Sequence, residues 1–331
     1  MVAEVRELVR QYMPEFPIRH CGRLVTDTSN FTSIGYGDVI AVAGRHYMVL
    51  RDEAERRFGL EDPKFWVKRC RELETGARKI LKLEFHEDFS LHIGALQIHC
   101  HRSPDKESRI LDMTRGDPRF MQGENARDEA GHNVRILDVV QGRRLDLNIE
   151  DLQTEDHFTY FSQHVPGILE RFIAACEALA MLHAGLEKHG DVRRDHLFTD
   201  RASGDYVWID FDYAFESPAN PFGLDIFGLG NILLFIVGKQ IHTRRDITSG
   251  VYGEAAAARI EGGDYSVMFP YRLVNVRALF PYIPEQLHRV LMYFSLGSDV
   301  YYESVNEFLA DLRPCVPLVR ALGGQAAGSQ A

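Results

Sequence analysis

Hydrophobic positions follow two rhythms along this chain. Over the first part they sit in short alternating runs bounded by turn residues, the mark of strands. Such runs are Asp38–Val42 and Tyr47–Leu50 around Gly44-Arg45-His46, and Phe65–Glu72 and Ala77–Phe85 around Glu74-Thr75-Gly76. Phe120–Arg127 and Val134–Val140 form a third pair around Ala130-Gly131-His132-Asn133. Ala3–Tyr12 reads as a short helix ahead of them, and Ile34–Val39 as a hairpin turn. A further helix is expected after Ser103-Pro104, a good N-cap and first-position pair. Ile110 and Leu111 form its apolar face, and it stops near Gly116-Asp117-Pro118. Later in the chain Ile168, Phe172, Cys176, Leu179 and His183 recur at helical spacing. Ile226–Val237 is apolar throughout and reads as a buried helix too short to span a bilayer. Pro284–Leu312 carries two or three more helices, and the Gly/Ala/Gln/Ser-rich residues 317–331 are expected to be a disordered tail.

Composition changes this picture little. The chain has 331 residues, enough for about two domains, and 45% hydrophobic with 26% charged residues is ordinary for a globular protein. A net charge of −10 argues against nucleic acid or anionic membrane as the main partner. Cys21, Cys70, Cys100, Cys176 and Cys315 are scattered and odd in number, which fits a reduced, cytoplasmic setting. Met1–Pro14 is charged and lacks the apolar core of a signal peptide. His99 and His101 would share one face of a strand, but no further ligand pair stands at suitable spacing, so a structural or surface role is preferred.

The candidate chemistry lies in residues 182–214. The helix ends near Leu182-His183, and a polar loop His189-Gly190-Asp191-Val192-Arg193-Arg194-Asp195-His196 follows. A hairpin comes next, Leu197-Phe198 and Tyr206–Ile209 around Arg201–Asp205, and then Asp210-Phe211-Asp212. Asp191 and Asp210 leave the two ends of one hairpin. Phosphoryl transfer needs such a pair, one carboxylate to orient the attacking hydroxyl and another to hold Mg²⁺ on the nucleotide phosphates.

This stretch resembles the catalytic core of the protein-kinase-like superfamily, with His189-Gly190-Asp191 where kinases have H-R-D and Asp210-Phe211-Asp212 where they have D-F-G. The resemblance covers roughly residues 50–313. It implies an α+β, bilobal fold: a small antiparallel β lobe with one helix, residues 47–140, and a mostly helical lobe, residues 141–316, preceded by an extension of helix and strands, residues 1–46. It also implies site residues. Lys82 would contact the α- and β-phosphates of ATP, with Lys79 and Lys68 as rivals, and Glu107 would pair with it. Leu137 would back the adenine pocket, with Asp138–Val140 offering main-chain groups to the base. Asp191 would orient the acceptor hydroxyl, Arg193 would neutralise the γ-phosphate, and Asp210 would bind Mg²⁺. Asp225, in Leu224–Gly230, would brace the catalytic loop.

Four departures from the kinase pattern bear on function. His196 stands where a second metal ligand is usually Asn; imidazole suits Mn²⁺ better than Mg²⁺, and the lipopolysaccharide heptose kinases show the same feature. Gly190 makes the loop H-G-D, as in aminoglycoside and choline kinases. The stretch from Asp212 to Asp225 is short and lacks A-P-E, which favours a small-molecule acceptor over a peptide. Residues 56–66 should hold a glycine-rich loop, yet contain one glycine and Pro63, which has no N–H to give a phosphate. The expectation is an ATP-dependent phosphotransferase acting on a hydroxyl of a protein or small molecule, with Mg²⁺ or Mn²⁺. The alternative is a pseudokinase that binds or scaffolds without transfer.

Overall fold

The protein is described by a computed structural model covering residues 2–57, 60–93, 96–217 and 219–328. It divides into two compact units, Met1–Glu87 with Arg102–Val140, and Asp88–His101 with Gln141–Ala331. The first unit begins with α1 (Val2–Tyr12), β1 (Leu24–Val25), β2 (Val39–Val42), β3 (Arg45–Arg57), β4 (Leu60–Glu72) and β5 (Arg78–Lys82). The chain then makes the hairpin β6 (Asp88–Ile93) and β7 (Leu96–Arg102), most of which belongs to the second unit. It returns with α2 (Pro104–Met113), β8 (Gly123–Arg127) and β9 (Asn133–Asp138).

One seven-stranded sheet organises the first unit, in the order β1-β2-β3-β4-β5-β9-β8. Strand alternation sends residues to two cores. Ile40, Tyr47, Val49, Cys70, Leu81, Val134 and Ile136 share one. Val39 and Met48 face the other, which Val5 and Val9 of α1 and Met13 just after it cover. The first residues thus extend the sheet of the lobe they precede. Ile34–Val39 contains a turn, but no hairpin, because β1 pairs parallel to β2; the true hairpin joins β2 to β3 antiparallel. α2 starts where its cap signal lies: Ser103 Oγ accepts the Lys106 N–H and Pro104 follows.

The second unit is mostly helical. It contains β10 (Gly142–Arg144), α3 (Leu145–Glu150), α4 (His157–Gln163), α5 (Val165–Ala184), β11 (Leu197–Asp200), β12 (Tyr206–Trp208) and β13 (Tyr213–Glu216). Helices α6 (Gly223–Gly238), α7 (Arg244–Thr248), α8 (Glu254–Ala257), α9 (Glu285–Met292), α10 (Val305–Leu312) and α11 (Cys315–Gly328) complete it. β10, β11 and β12 form one small sheet, and β13, β7 and β6 another. The apolar face of the second packs Ile98 and Cys100 against Phe215 and Leu224. α6 is apolar on every side and buried along most of its length. Its final carbonyls, which no helical N–H can reach, are capped by side chains. Tyr160 Oη donates to Ile236 O at 2.7 Å, and His157 Nε2 and His242 Nε2 lie 2.9 and 3.1 Å from Val237 O and Gly238 O.

The expected disordered tail is a correction. α11 runs to Gly328, and its Cys315, Val316 and Val319 are buried, so the low-complexity end continues a helix anchored by apolar residues; residues 329–331 lie outside the described residues. The architecture is α+β, with a sheet-based first unit carrying α1 and α2 against the sheet and a helical second unit, as the kinase-like reading requires. Among the described residues no helix is long and apolar enough to cross a membrane.

Candidate active site

In the first unit, strand register builds a buried ion cluster. Lys82 on β5 sits directly opposite Arg135 on β9, so both side chains leave the same face of the sheet. Glu107, from the first turn of α2, meets them there. Its Oε1 accepts from Lys82 Nζ at 2.8 Å and its Oε2 from Arg135 Nε at 3.2 Å. Glu107 and Arg135 are fully buried and Lys82 nearly so. Arg135 also donates to Leu83 O and Asn133 O. A buried carboxylate is costly unless paired and hydrogen-bonded, and here each oxygen has its own cation. The rival lysines are held elsewhere, Lys68 on Ile34 O and Asp52 at 2.6 and 2.7 Å, and Lys79 on Asp138 at 2.6 Å. Arg135 was legible only as a lone charge inside an apolar strand, a position that requires a partner.

Leu137 is buried on β9. The Asp138 N–H donates to Gln122 O at 2.9 Å, so the sheet uses that donor, and Val140 is the last residue of the unit. Pro63 lies in β4 opposite Ala54 of β3, and Phe58 and Gly59 lie outside the described residues.

In the second unit the loop 189–196 is built around Asp225 at the start of α6. Its Oδ2 accepts from His189 N at 2.8 Å and lies 3.0 Å from His183 Nε2, while Oδ1 accepts from Gly190 N at 2.9 Å. Burial pushes the Asp225 pKa up, but the hydrogen bonds and the charges of His183 and His189 outweigh it and the net shift is downward. Gly190 has φ +90, a left-handed conformation that favours glycine and turns the chain into Asp191. His189 is buried edge-on against Trp208 and Phe211, ring centres 5.0 Å away.

The sheet of β11 and β12, with Leu197 opposite Trp208, then brings Asp191, His196 and Asp210 together. His196 Nδ1 lies 3.0 Å from the Asp191 carbonyl oxygen, which assigns its proton to Nδ1. Nε2, on the other side of the ring, faces Asp210 Oδ2 at 3.6 Å. Asp210 is held at φ +68, rare for a residue with a side chain and a mark of functional sites. Asp191 Oδ2 is 3.4 Å from His196 Nδ1 and 3.7 Å from Arg193 Nη1. Burial raises the Asp191 pKa, and the charges of Asp210 and Asp195 add to this against the opposing His196 and Arg193. Arg193 is clamped by Asp195 through its Nε at 3.0 Å and Nη2 at 2.6 Å.

Two other candidates lead elsewhere. His99 and His101 do share a face of β7, rings 6.0 Å apart, with Asp88 3.4 Å from His99; both histidines remain side chains of a hairpin surface. Asp27, Asp128 and His132 also cluster, but the Asp128 carboxylate is occupied by Thr28 and by the His132 backbone.

No family model matches the chain, and no curated protein matches it in sequence. Among solved structures it is similar to the crystal structure of Rad53 1-466 in complex with AMP-PNP, with 13% identity and a TM-score of 0.44. The similarity spans 76% of this chain and 61% of that one, less than two thirds of that protein's crystallised length. At that distance the likeness assigns no role to any residue.

Proposed function

We propose that the chain is an ATP-dependent phosphotransferase that transfers the γ-phosphate to a hydroxyl, most consistent with a small-molecule acceptor. One observation carries this reading: His196 Nε2 and an Asp210 oxygen, both able to ligate a divalent ion, face each other at 3.6 Å. The spacing suits two ligands of one divalent ion at about 2.0–2.2 Å each. The Nδ1 bond to the Asp191 carbonyl fixes the ring for that task, as outer-shell partners of metal-binding histidines do. The mixed nitrogen and oxygen donor set favours Mn²⁺ over Mg²⁺.

In this reading the ion supplies charge neutralisation on the nucleotide phosphates. Lys82 serves the α- and β-phosphates, while Glu107 and Arg135 fix its position. Leu137, Asp138 and Val140 serve the base. Asp191 aligns the acceptor hydroxyl and takes its proton as the oxygen bonds to the γ-phosphorus and the β–γ bridging oxygen departs with ADP. Arg193, preset by Asp195, stabilises the charge on the transferred group. The H-G-D loop and the short segment from Asp212 to Asp225 favour a small molecule, as in aminoglycoside and choline kinases.

The rival is a pseudokinase, favoured by Pro63 lying within the paired hairpin of β3 and β4, where a phosphate cradle would need amide donors. Thermal unfolding with ATP alone, with Mg²⁺ and with Mn²⁺ tests the reading, followed by phosphate transfer to candidate acceptors. A ligand at about one hundred times its Kd adds about 2.7 kcal/mol to stability. Wild type should respond most to ATP with Mn²⁺, Asp210→Ala should lose the response, and His196→Asn should shift the preference toward Mg²⁺. No response with either metal overturns nucleotide binding. A metal-dependent response without turnover on any acceptor establishes the pseudokinase.

A further inference from the structure

Two arginines of the second unit are not used by the roles above. Arg194 and Arg272 come from distant parts of the chain and settle on one face of α6. The Arg194 guanidinium carbon is 4.6 Å from the centre of the Phe235 ring. Arg272 Nη1 donates to Asn231 Oδ1 at 3.5 Å. Asn231 and Phe235 are four residues apart in the helix and share a face. Gly228 lies on that face three residues earlier. A Cβ built there would fall 2.5 Å from the Val192 carbonyl oxygen, so α6 touches the backbone right beside Asp191. The row Gly228, Asn231, Phe235 thus leads from the catalytic loop to the two arginines.

Their charges are poorly compensated, which is unexpected in a chain of net charge −10. Among the described residues Arg272 forms no ion pair, and its Nε is buried without a hydrogen-bond partner. Its guanidinium instead stacks 3.8 Å above the Phe269 ring. Arg194 reaches one carboxylate among the described residues, Asp146 at 3.8 Å, and Arg144 already engages both oxygens of that group. Burial lowers the Arg272 pKa against the side-chain hydrogen bond and charge of Tyr271, and the charge of Arg194 adds to the lowering. Two guanidinium groups set against residues one turn apart on one helix face, without a shared carboxylate, are an arrangement that an oxyanion completes, because the planar fork matches phosphate and carboxylate geometry.

We propose that Arg194 and Arg272 form an oxyanion subsite for the acceptor, so that the hydroxyl to be phosphorylated belongs to a small molecule already carrying a phosphate or carboxylate group. The acceptor's role rests on the phosphotransferase reading; the anion site does not. The test is thermal unfolding of the full chain in sodium phosphate, sodium acetate and sodium chloride at one ionic strength. Wild type should gain Tm saturably in phosphate or acetate, by about 3 °C at about twenty times the half-saturating concentration, and gain nothing in chloride. The stronger of the two anions identifies the group recognised. Arg194→Met with Arg272→Met should abolish the gain. Arg194→Gln alone leaves the Arg272 packing intact and should raise the half-saturating concentration about tenfold. A gain equal in chloride, or one unchanged in both variants, overturns the subsite. The response to ATP with Mn²⁺, read on the wild type, separates the two ideas. An anion response lost in the variants, with no ATP response, keeps the anion site and removes the phosphotransferase.

Discussion

Replacing Asp225 by alanine tests the foundation of the loop 189–196 without reference to any ligand. The carboxylate is fully buried and accepts two backbone N–H bonds, from His189 and Gly190, at 2.8 and 2.9 Å. Its third contact is His183 Nε2 at 3.0 Å. Alanine leaves those buried donors without their acceptor. An unsatisfied buried donor costs about 1–3 kcal/mol, and bonds to a charged acceptor lie at the upper end. Removing one side of a buried charged network costs about 3–5 kcal/mol. The expected loss for Asp225→Ala is therefore about 4 kcal/mol, a large share of the roughly 5–15 kcal/mol that holds a domain. Asp225→Asn keeps one acceptor oxygen but turns an amide donor toward an N–H, so about half that loss is expected. Urea denaturation followed by the fluorescence of Trp208, which packs edge-on against His189, reports the midpoint and slope for each variant. A cost below about 1 kcal/mol for Asp225→Ala, at unchanged slope, would show that the loop holds its shape without this residue.

Two further outcomes follow from buried groups. Glu107→Ala should cost about 3–5 kcal/mol because it strands Lys82 and Arg135. Adding Arg135→Met should recover part of that loss, and a double variant as unstable as the sum of the singles refutes the cluster; chemical denaturation of the set measures it. His157 is a pH lever: burial first, with the charges of His242 and Lys239 behind it, lowers its pKa to about 4 against the bond to Val237 O and the charge of Asp156. The folded pKa lies below the unfolded one, so its stabilisation is complete above about pH 6.5 and is lost as pH falls from there toward 4, by up to about 3 kcal/mol. His157→Gln should flatten the stability difference between pH 7.5 and 5 by about 2 kcal/mol, the part of the loss that falls above pH 5, and an unchanged slope in the variant refutes it.

How far the sequence disclosed this molecule depended on whether a feature is local. α5 and the β11–β12 hairpin follow from apolar spacing and turn residues, and the Ser103 cap follows from two adjacent letters. The pairing of Asp225 with the loop was legible through the kinase-like order of motifs. Arg135 was missed because its partners come from β5 and α2, and no single window contains all three. The helical tail was missed because Val316 and Val319 are buried by packing within the unit, which overrides a weak local propensity. The parallel pairing of β1 with β2 was likewise hidden, since turn residues before a strand do not reveal which neighbour it will join.

The hairpin of β6 and β7 has a consequence for how the chain can be divided. It is inserted in the sequence between β5 and α2 of the first unit, yet its strands join β13 in the second. No contiguous fragment beginning at Gln141 would contain it. Such a fragment would leave β13 as a bare edge and uncover Phe215 and Leu224, which Ile98 and Cys100 otherwise bury. Exposed edges and apolar patches of that kind invite aggregation. The two units are therefore not interchangeable modules: the later one borrows its last strands from a loop of the earlier one. Cutting or recombining the gene at residue 140 would divide a folding unit, even though residue 140 is the boundary that a reading of the sequence would choose.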